Sequence, residues 1–184
     1  MISIQGTTHM TFMLPTDIGT AFRFYEDMQR IVNFLPRIEF IKAFDDKHLR
    51  MCYTSKELNA YQIRIYCDVF TKLDPQNYTI HVDPKPHKLP VKPSASFNAA
   101  STYGSYSSQS YFYPEGATET RLEYYLTLAA ELPKPWALKM MPDTIMNSIA
   151  GSITNYRIHE IANGFIEKSL TELPKWMTAN GRYP

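Results

Sequence analysis

The chain has 184 residues, 44% of them apolar and 14% aromatic, and a formal net charge of +1. That composition suits one globular domain, or at most two small ones, and excludes a disordered segment. With no excess of charge there is no field to gather nucleic acid or an anionic membrane, and no run approaches the ~20 apolar residues of a spanning helix.

The first twelve residues, "MISIQGTTHMTF", lack a basic stretch followed by an apolar block, so no secretory signal is expected. The two cysteines, Cys52 and Cys67, fit a reducing, cytoplasmic compartment without a disulfide framework or zinc-type spacing.

Residues 8–15, "THMTFMLP", alternate Met10, Phe12 and Leu14 with polar neighbours and read as a first strand. Thr16 and Asp17 then open a helix carrying Ile18, Ala21, Phe22, Tyr25 and Met28 at helical spacing. Ile31, Phe34 and Leu35 give a second short turn or helix before Pro36. Period two follows. Ile38, Phe40 and Phe44 mark one strand, and Leu49, Met51 and Tyr53 mark the next, which ends near "SKELN". Tyr61, Ile63, Ile65, Cys67 and Val69 form the cleanest alternation, and Tyr78, Ile80 and Val82 form another, as expected of an antiparallel meander with one wet face. Cys52 and Cys67 then fall on opposite faces, because same-face residues of two odd-phased strands need an even sum.

Four prolines and three lysines crowd "DPKPHKLPVKP", residues 83–93. Beyond it, "ASTYGSYSSQSYFYPEG" reads as a strand, with Gly104 a place for a bulge. Leu122, Tyr124, Leu126, Leu128 and Ala130 then mark a final strand. "LPKPWALKMM" predicts an irregular turn with a helical piece. Pro142 and Asp143 open a long helix from 143 to 170, striped by Ile145, Ile149, Ile153, Ile161 and Phe165 and broadened by Met146, Tyr156 and Ile158. Such a helix is about 42 Å long and must lie on something apolar. The strands before the prolines lack a cover, and the part after them has the cover but only two strands. Neither half closes a core alone, so 83–93 is predicted to be a stiff, solvated lip between neighbouring strands and not a hinge. "PVKP" satisfies a PxxP spacing, a pattern common by chance.

Strand, two short helices, six strands, long terminal helix: this order resembles the START-like superfamily, also called the Bet v 1-like or helix-grip fold (SRPBCC). The resemblance covers roughly residues 5–172. It rests on "TDIGTAFRFYEDMQRIVNFLP" directly after the first strand and on the last strand running through a proline-bearing turn into the long helix. A further similarity, carried by no single motif, is to a branch of the superfamily found in cyanobacteria and plastids. The resemblance implies an α+β fold: a seven-stranded curved antiparallel sheet, two short helices after strand 1, and the terminal helix on its concave face. It implies one START-like domain over 1–184, with a proline-rich loop at 83–98 that can narrow or cover an opening and a tail at 172–184. It also implies a cavity between helix and sheet, where members bind lipids, sterols, hormones or polyketide-like molecules and some catalyse cyclisation or hydrolysis.

The candidate ligand-binding residues are the inward ones: Tyr61, Ile63, Ile65, Tyr78, Ile80, Leu122, Tyr124, Leu126 and Leu128 of the sheet, and Met146, Ile149, Ala150 and Ile153 of the helix. The same residues suit a filled core. Ala130 and Ala150–Gly151 leave room for a cavity, and buried tyrosine hydroxyls need partners that a ligand can supply. The assigned inward phases carry almost no charge, since Arg64, Asp68, Arg121 and Glu123 fall on the other phase. No nucleophile motif or phosphate-cradling glycine loop appears. His9, His48, His81, His87 and His159 form no metal-ligand spacing except His81 with Asp83, which share the wet face. The expectation is therefore binding of a hydrophobic or amphipathic small molecule (lipid-, pigment- or polyketide-like) without catalysis, cofactor, metal or nucleic acid, by a protein not integral to a membrane. One alternative is an assembly factor that uses the proline loop, the Trp176-bearing tail and the aromatic strand at 103–113 to hold a protein partner. Another is a cyclase- or hydrolase-type enzyme, which needs an inward-facing titratable residue.

Overall fold

Residues Ile2–Leu14 form β1, six residues longer at its start than the clean alternation indicates, with the even-numbered side chains turned inward. Two helices follow, α1 (Ile18–Tyr25) and α2 (Met28–Val32), capped by the carboxylates of Asp17 and Asp27, which accept from the Thr20 and Arg30 amides. The chain, a computed structural model, is described over residues 1–57, 61–88 and 91–181.

The strands β2 (Ile38–Ala43), β3 (His48–Glu57), β4 (Tyr61–Asp74), β5 (Thr79–Pro84), β6 (Ser94–Ala95), β7 (Ala99–Pro114) and β8 (Thr120–Leu132) complete one sheet, ordered β1-β8-β7-β5-β4-β3-β2, with β6 paired to β7. There are thus eight strands, the extra one being the two-residue β6 inside the segment taken for a loop. The sheet draws strands from both sides of the proline segment. Short β5 is wedged between the end of β4 and the later half of β7. Below it β4 and β7 pair directly and in parallel, Gln62–Tyr66 against Ala99–Tyr103, a contact that hairpin reasoning does not foresee. Gly104 makes no bulge there. A Cβ on it would stand 2.4 Å from Ile65 and 2.8 Å from the Ala129 carbonyl, so the glycine serves the close approach of strands. In the β3–β4 register Met51 faces Cys67 and Cys52 faces Tyr66, which leaves the two buried cysteines free and on opposite faces.

After a turn of 3-10 helix at Trp136–Leu138, α3 runs from Asp143 to Ala179 over the inner face. It passes straight through Pro174, so residues 172–179, expected in a tail, are helix, and Leu173 and Met177 are buried. Residues 182–184 lie outside the described residues. The expected stripe also needs correction: Ile145 is 51% exposed and Tyr156 is exposed too. Residues four apart advance by about 40° around a helix of 3.6 residues per turn, so an interval-of-four stripe winds off the contact face. The buried line includes Met146, Thr154, Ile158, Ile161, Phe165, Ser169, Leu173 and Met177.

The two ends of the inner face differ. At one end α1, α2 and the last turns of α3 fill the hollow with rings: Phe165 stacks on Tyr124 (4.5 Å), Tyr25 meets Phe112 (5.5 Å), and Phe24 meets Trp176 (5.5 Å). At the other end the first half of α3 spans the sheet with no helix beneath it.

The proline segment is not a free lip. Asp68, on the outward phase of β4, is only 1% exposed because residues 85–87 cover it. Its carboxylate takes a two-pronged ion pair from Arg50 (2.6 and 2.8 Å) and the His87 amide (2.9 Å). The His87 ring stacks on Phe44 (3.8 Å), and the Lys85 carbonyl bonds the His48 ring (2.9 Å). Burial pushes the Asp68 carboxyl up, but the Arg50 and His87 hydrogen bonds outweigh it and hold the group below its ordinary value.

Candidate functional site

The uncovered end of the hollow is a cavity of about 80 Å³. One water needs roughly 10–15 Å³ of such space, so this one admits a ligand fragment of several heavy atoms. Its floor is the start of β1 (Ile2, Ile4), the end of β8 (Leu128, Leu132), the start of β4 (Tyr61, Ile63) and Ala100 of β7. Met146, Ile149, Ala150, Ile153 and Ile158 of α3 form its roof, and Pro133, Pro135 and Leu138 close the side where β8 turns into the helix. Phe97, Trp136 and Met140 stand exposed at this end, with the Trp136 amide donating to the Ser96 carbonyl.

The sequence-derived candidates divide between the two ends. Tyr61, Ile63, Leu128, Met146, Ile149, Ala150 and Ile153 line this cavity. Ile80 and Tyr124 border a separate void of about 10 Å³, room for about one water, where the Tyr106 and Tyr124 hydroxyls bond at 2.9 Å. Ile65, Leu122 and Leu126 belong to the filled core and line neither space. Tyr78 sits just before β5 with a left-handed φ of 49° and meets Phe22 edge-on. No described residue of 83–95 lines the cavity.

One corner of the wall is polar, contrary to the expected absence of inward charge. Tyr53, Ser55 and Glu57 continue the inward phase of β3 past its apolar part, and Arg157 takes the place in the α3 stripe between Ile153 and Ile161. The Glu57 carboxylate accepts from Arg157 Nε (2.9 Å) and Nη2 (3.0 Å). Arg157 Nη1 bonds Glu160 (2.6 Å), which also pairs with Arg37 Nε (3.0 Å). Two acids and two arginines thus alternate, and the cluster is neutral. Burial pushes the Glu57 carboxyl up, yet the Arg157 fork and the Arg37 charge outweigh it and keep the group below its ordinary value. Ser55 is 5% exposed, and its hydroxyl lies beside Tyr53 and Glu57 without completing a hydrogen bond. Both charged residues are legible as charges in apolar phases: the strand expected to end near "SKELN" carries Glu57 two phases beyond Tyr53, and position 157 falls inside the α3 stripe.

Among the described residues no group of His, Cys, Asp and Glu can hold a metal ion, and no helix is long and apolar enough to cross a membrane.

By sequence the chain matches no family model and no curated protein. By structure it is similar to the Zhui aromatase/cyclase from a Streptomyces species (TM-score 0.54, 10% identity, 97% of this chain and 96% of that one). It is similar to a START superfamily protein from Mycobacterium smegmatis (TM-score 0.54, 11%, 92% and 98%) and to a protein from Thermus thermophilus (TM-score 0.52, 15%, 90% and 98%). At these identities the likeness is of fold: the chain has the START-like, or Bet v 1-like, helix-grip fold.

Proposed function

We propose that this protein binds a hydrophobic or amphipathic small molecule between its sheet and the first half of α3, and does so without catalysis. The observation that carries this reading is the 80 Å³ space with a nearly all-apolar wall, set where the fold leaves the hollow of the sheet unfilled. Empty, it forfeits on the order of 2 kcal/mol of packing that a ligand restores, and apolar space does not hold water well. The exposed Phe97, Trp136 and Met140 mark the end by which a hydrophobic molecule enters.

Two features support binding over chemistry. Glu57, the one carboxylate among the described lining residues, is held ionised by Arg157, whereas a general acid or base at neutral pH needs a value near 7. The wall hydroxyl of Ser55 does lie beside that carboxylate, but a carboxylate held ionised in an arginine fork is a weak base for a serine hydroxyl. Two of the three features that would serve a protein partner are engaged within the chain: residues 85–87 lie on Asp68, and Trp176 packs on Phe24. Two buried, unpaired thiols suit a reducing compartment.

Native mass spectrometry of the gently purified protein, followed by organic extraction, tests this. The expected result is a co-purifying apolar compound that Ala150→Trp, which fills the space, excludes. A wild type that carries nothing and takes up no apolar probe overturns the reading.

A further inference from the structure

The corner formed by Ser55, Glu57 and Arg157 has a hydrogen-bonding valence that the chain does not use, and that valence selects among ligands. Resting on the binding reading above, we propose that the ligand is an uncharged amphiphile whose hydroxyl end lies at this corner and whose apolar body runs under Ile149 and Ile153.

Ser55 carries the argument. Its hydroxyl is almost fully buried in the cavity wall and, though it lies close enough to Tyr53 and Glu57 to favour their ionised forms, it completes a hydrogen bond with neither. A buried polar group left in that state costs free energy, and exchange of the serine for alanine would remove the cost. A group supplied by a ligand is the partner that makes the serine useful. Beside it, each Glu57 oxygen takes one arginine N–H and keeps acceptor capacity. An alcohol fits both neighbours at once, accepting from Ser55 and donating to Glu57.

Charge removes the other head groups. Glu57, Arg157, Glu160 and Arg37 already neutralise one another. A ligand carboxylate would add a negative charge next to Glu57 while Nε, Nη1 and Nη2 of Arg157 are each engaged. An ammonium would add a positive charge next to Arg157. In a space walled by isoleucine, leucine and methionine, neither excess charge is screened by solvent. A pure hydrocarbon fills the apolar part and leaves Ser55 unpaired.

The test uses the full chain, stripped of lipid, against four probes of one length: octan-1-ol, octane, octanoate and octylamine, read by titration calorimetry and by ligand-induced shift in Tm. Octan-1-ol should bind about tenfold tighter than octane, and tighter again than either ion, as one or two hydrogen bonds in a dry site require. In Ser55→Ala the octanol-to-octane ratio should fall towards one, while the ligand-free variant melts at or above the wild-type temperature. Equal binding of octanol and octane, a preference for octanoate or octylamine, or an unchanged ratio in Ser55→Ala overturns this inference and leaves the binding reading standing. Binding of none of the four overturns both.

Discussion

The Glu57 carboxylate meets the Arg157 guanidinium side-on, at 2.9 and 3.0 Å, and ties the last residue of β3 to the middle of α3 at the polar corner of the apolar space. The pair is nearly out of solvent, with side-chain exposures of 8% and 17%. It joins helix to sheet beside the space they enclose.

Removing one partner strands the other charge. Arg157→Leu should cost about 2–4 kcal/mol in urea unfolding, and Glu57→Leu/Arg157→Leu should recover at least half of it, because an apolar pair replaces a buried ionic one at little cost. A double variant no more stable than the single one would show that shape, not stranded charge, sets the loss. The pH dependence has a definite sign. The folded Glu57 value lies below its ordinary 4.5, so its stabilisation is complete above that value and is lost as pH falls through the folded one. Glu57→Gln should flatten that acid limb of the stability curve.

Asp68 clamps the proline segment to the outer face. Asp68→Asn loses the charged fork to Arg50 and weakens the hold on the His87 amide. It should cost about 2–3 kcal/mol and raise amide exchange at His87 and its neighbours by an order of magnitude. Unchanged exchange there would mean that stacking of His87 on Phe44 holds the segment without the carboxylate.

Two glycines of α3 should respond to alanine in opposite directions. At Gly151 a Cβ meets nothing within 4 Å, and Gly151→Ala should stabilise by about 0.5–1 kcal/mol through helix propensity. At Gly164 a Cβ would stand 2.2 Å from Cγ of Pro36, the residue that ends the α2 region, so Gly164→Ala should destabilise by about 1–3 kcal/mol. Thermal melts of the two variants check this. Equal and positive shifts would show that the helix can lift off Pro36.

The thiols should be silent in the folded protein. Burial pushes Cys52 up to about 11 and Cys67 up to about 12, so neither offers thiolate at neutral pH. Iodoacetamide at mildly alkaline pH should label neither in native buffer and both in urea. Labelling of Cys52 in native buffer would place an opening at the β2–β3 edge.

Most of the frame is legible along the chain. Alternation in β3, β4 and β8 told which side chains share a face, the odd phases of β3 and β4 separated Cys52 from Cys67, and Asp17 and Pro142 set two helix starts. These are local matters, decided by a repeat of two or 3.6 residues and by a cap. Even the polar corner was written locally, as Glu57 in the inward phase of β3 and Arg157 in the stripe of α3. What stands opposite each face is settled by the packing of distant segments. Phase cannot tell Leu126, pressed into the filled core, from Leu128, which lines an open space, since the two are alike in sequence and differ only in what lies across from them. Nor can it tell that Asp68, on a face read as wet, is sealed by residues lying seventeen and more positions away. A cavity is the mismatch between two surfaces, and a buried carboxylate is an outward one that a distant segment has covered. Both depend on distances across the fold that no short repeat along the chain encodes.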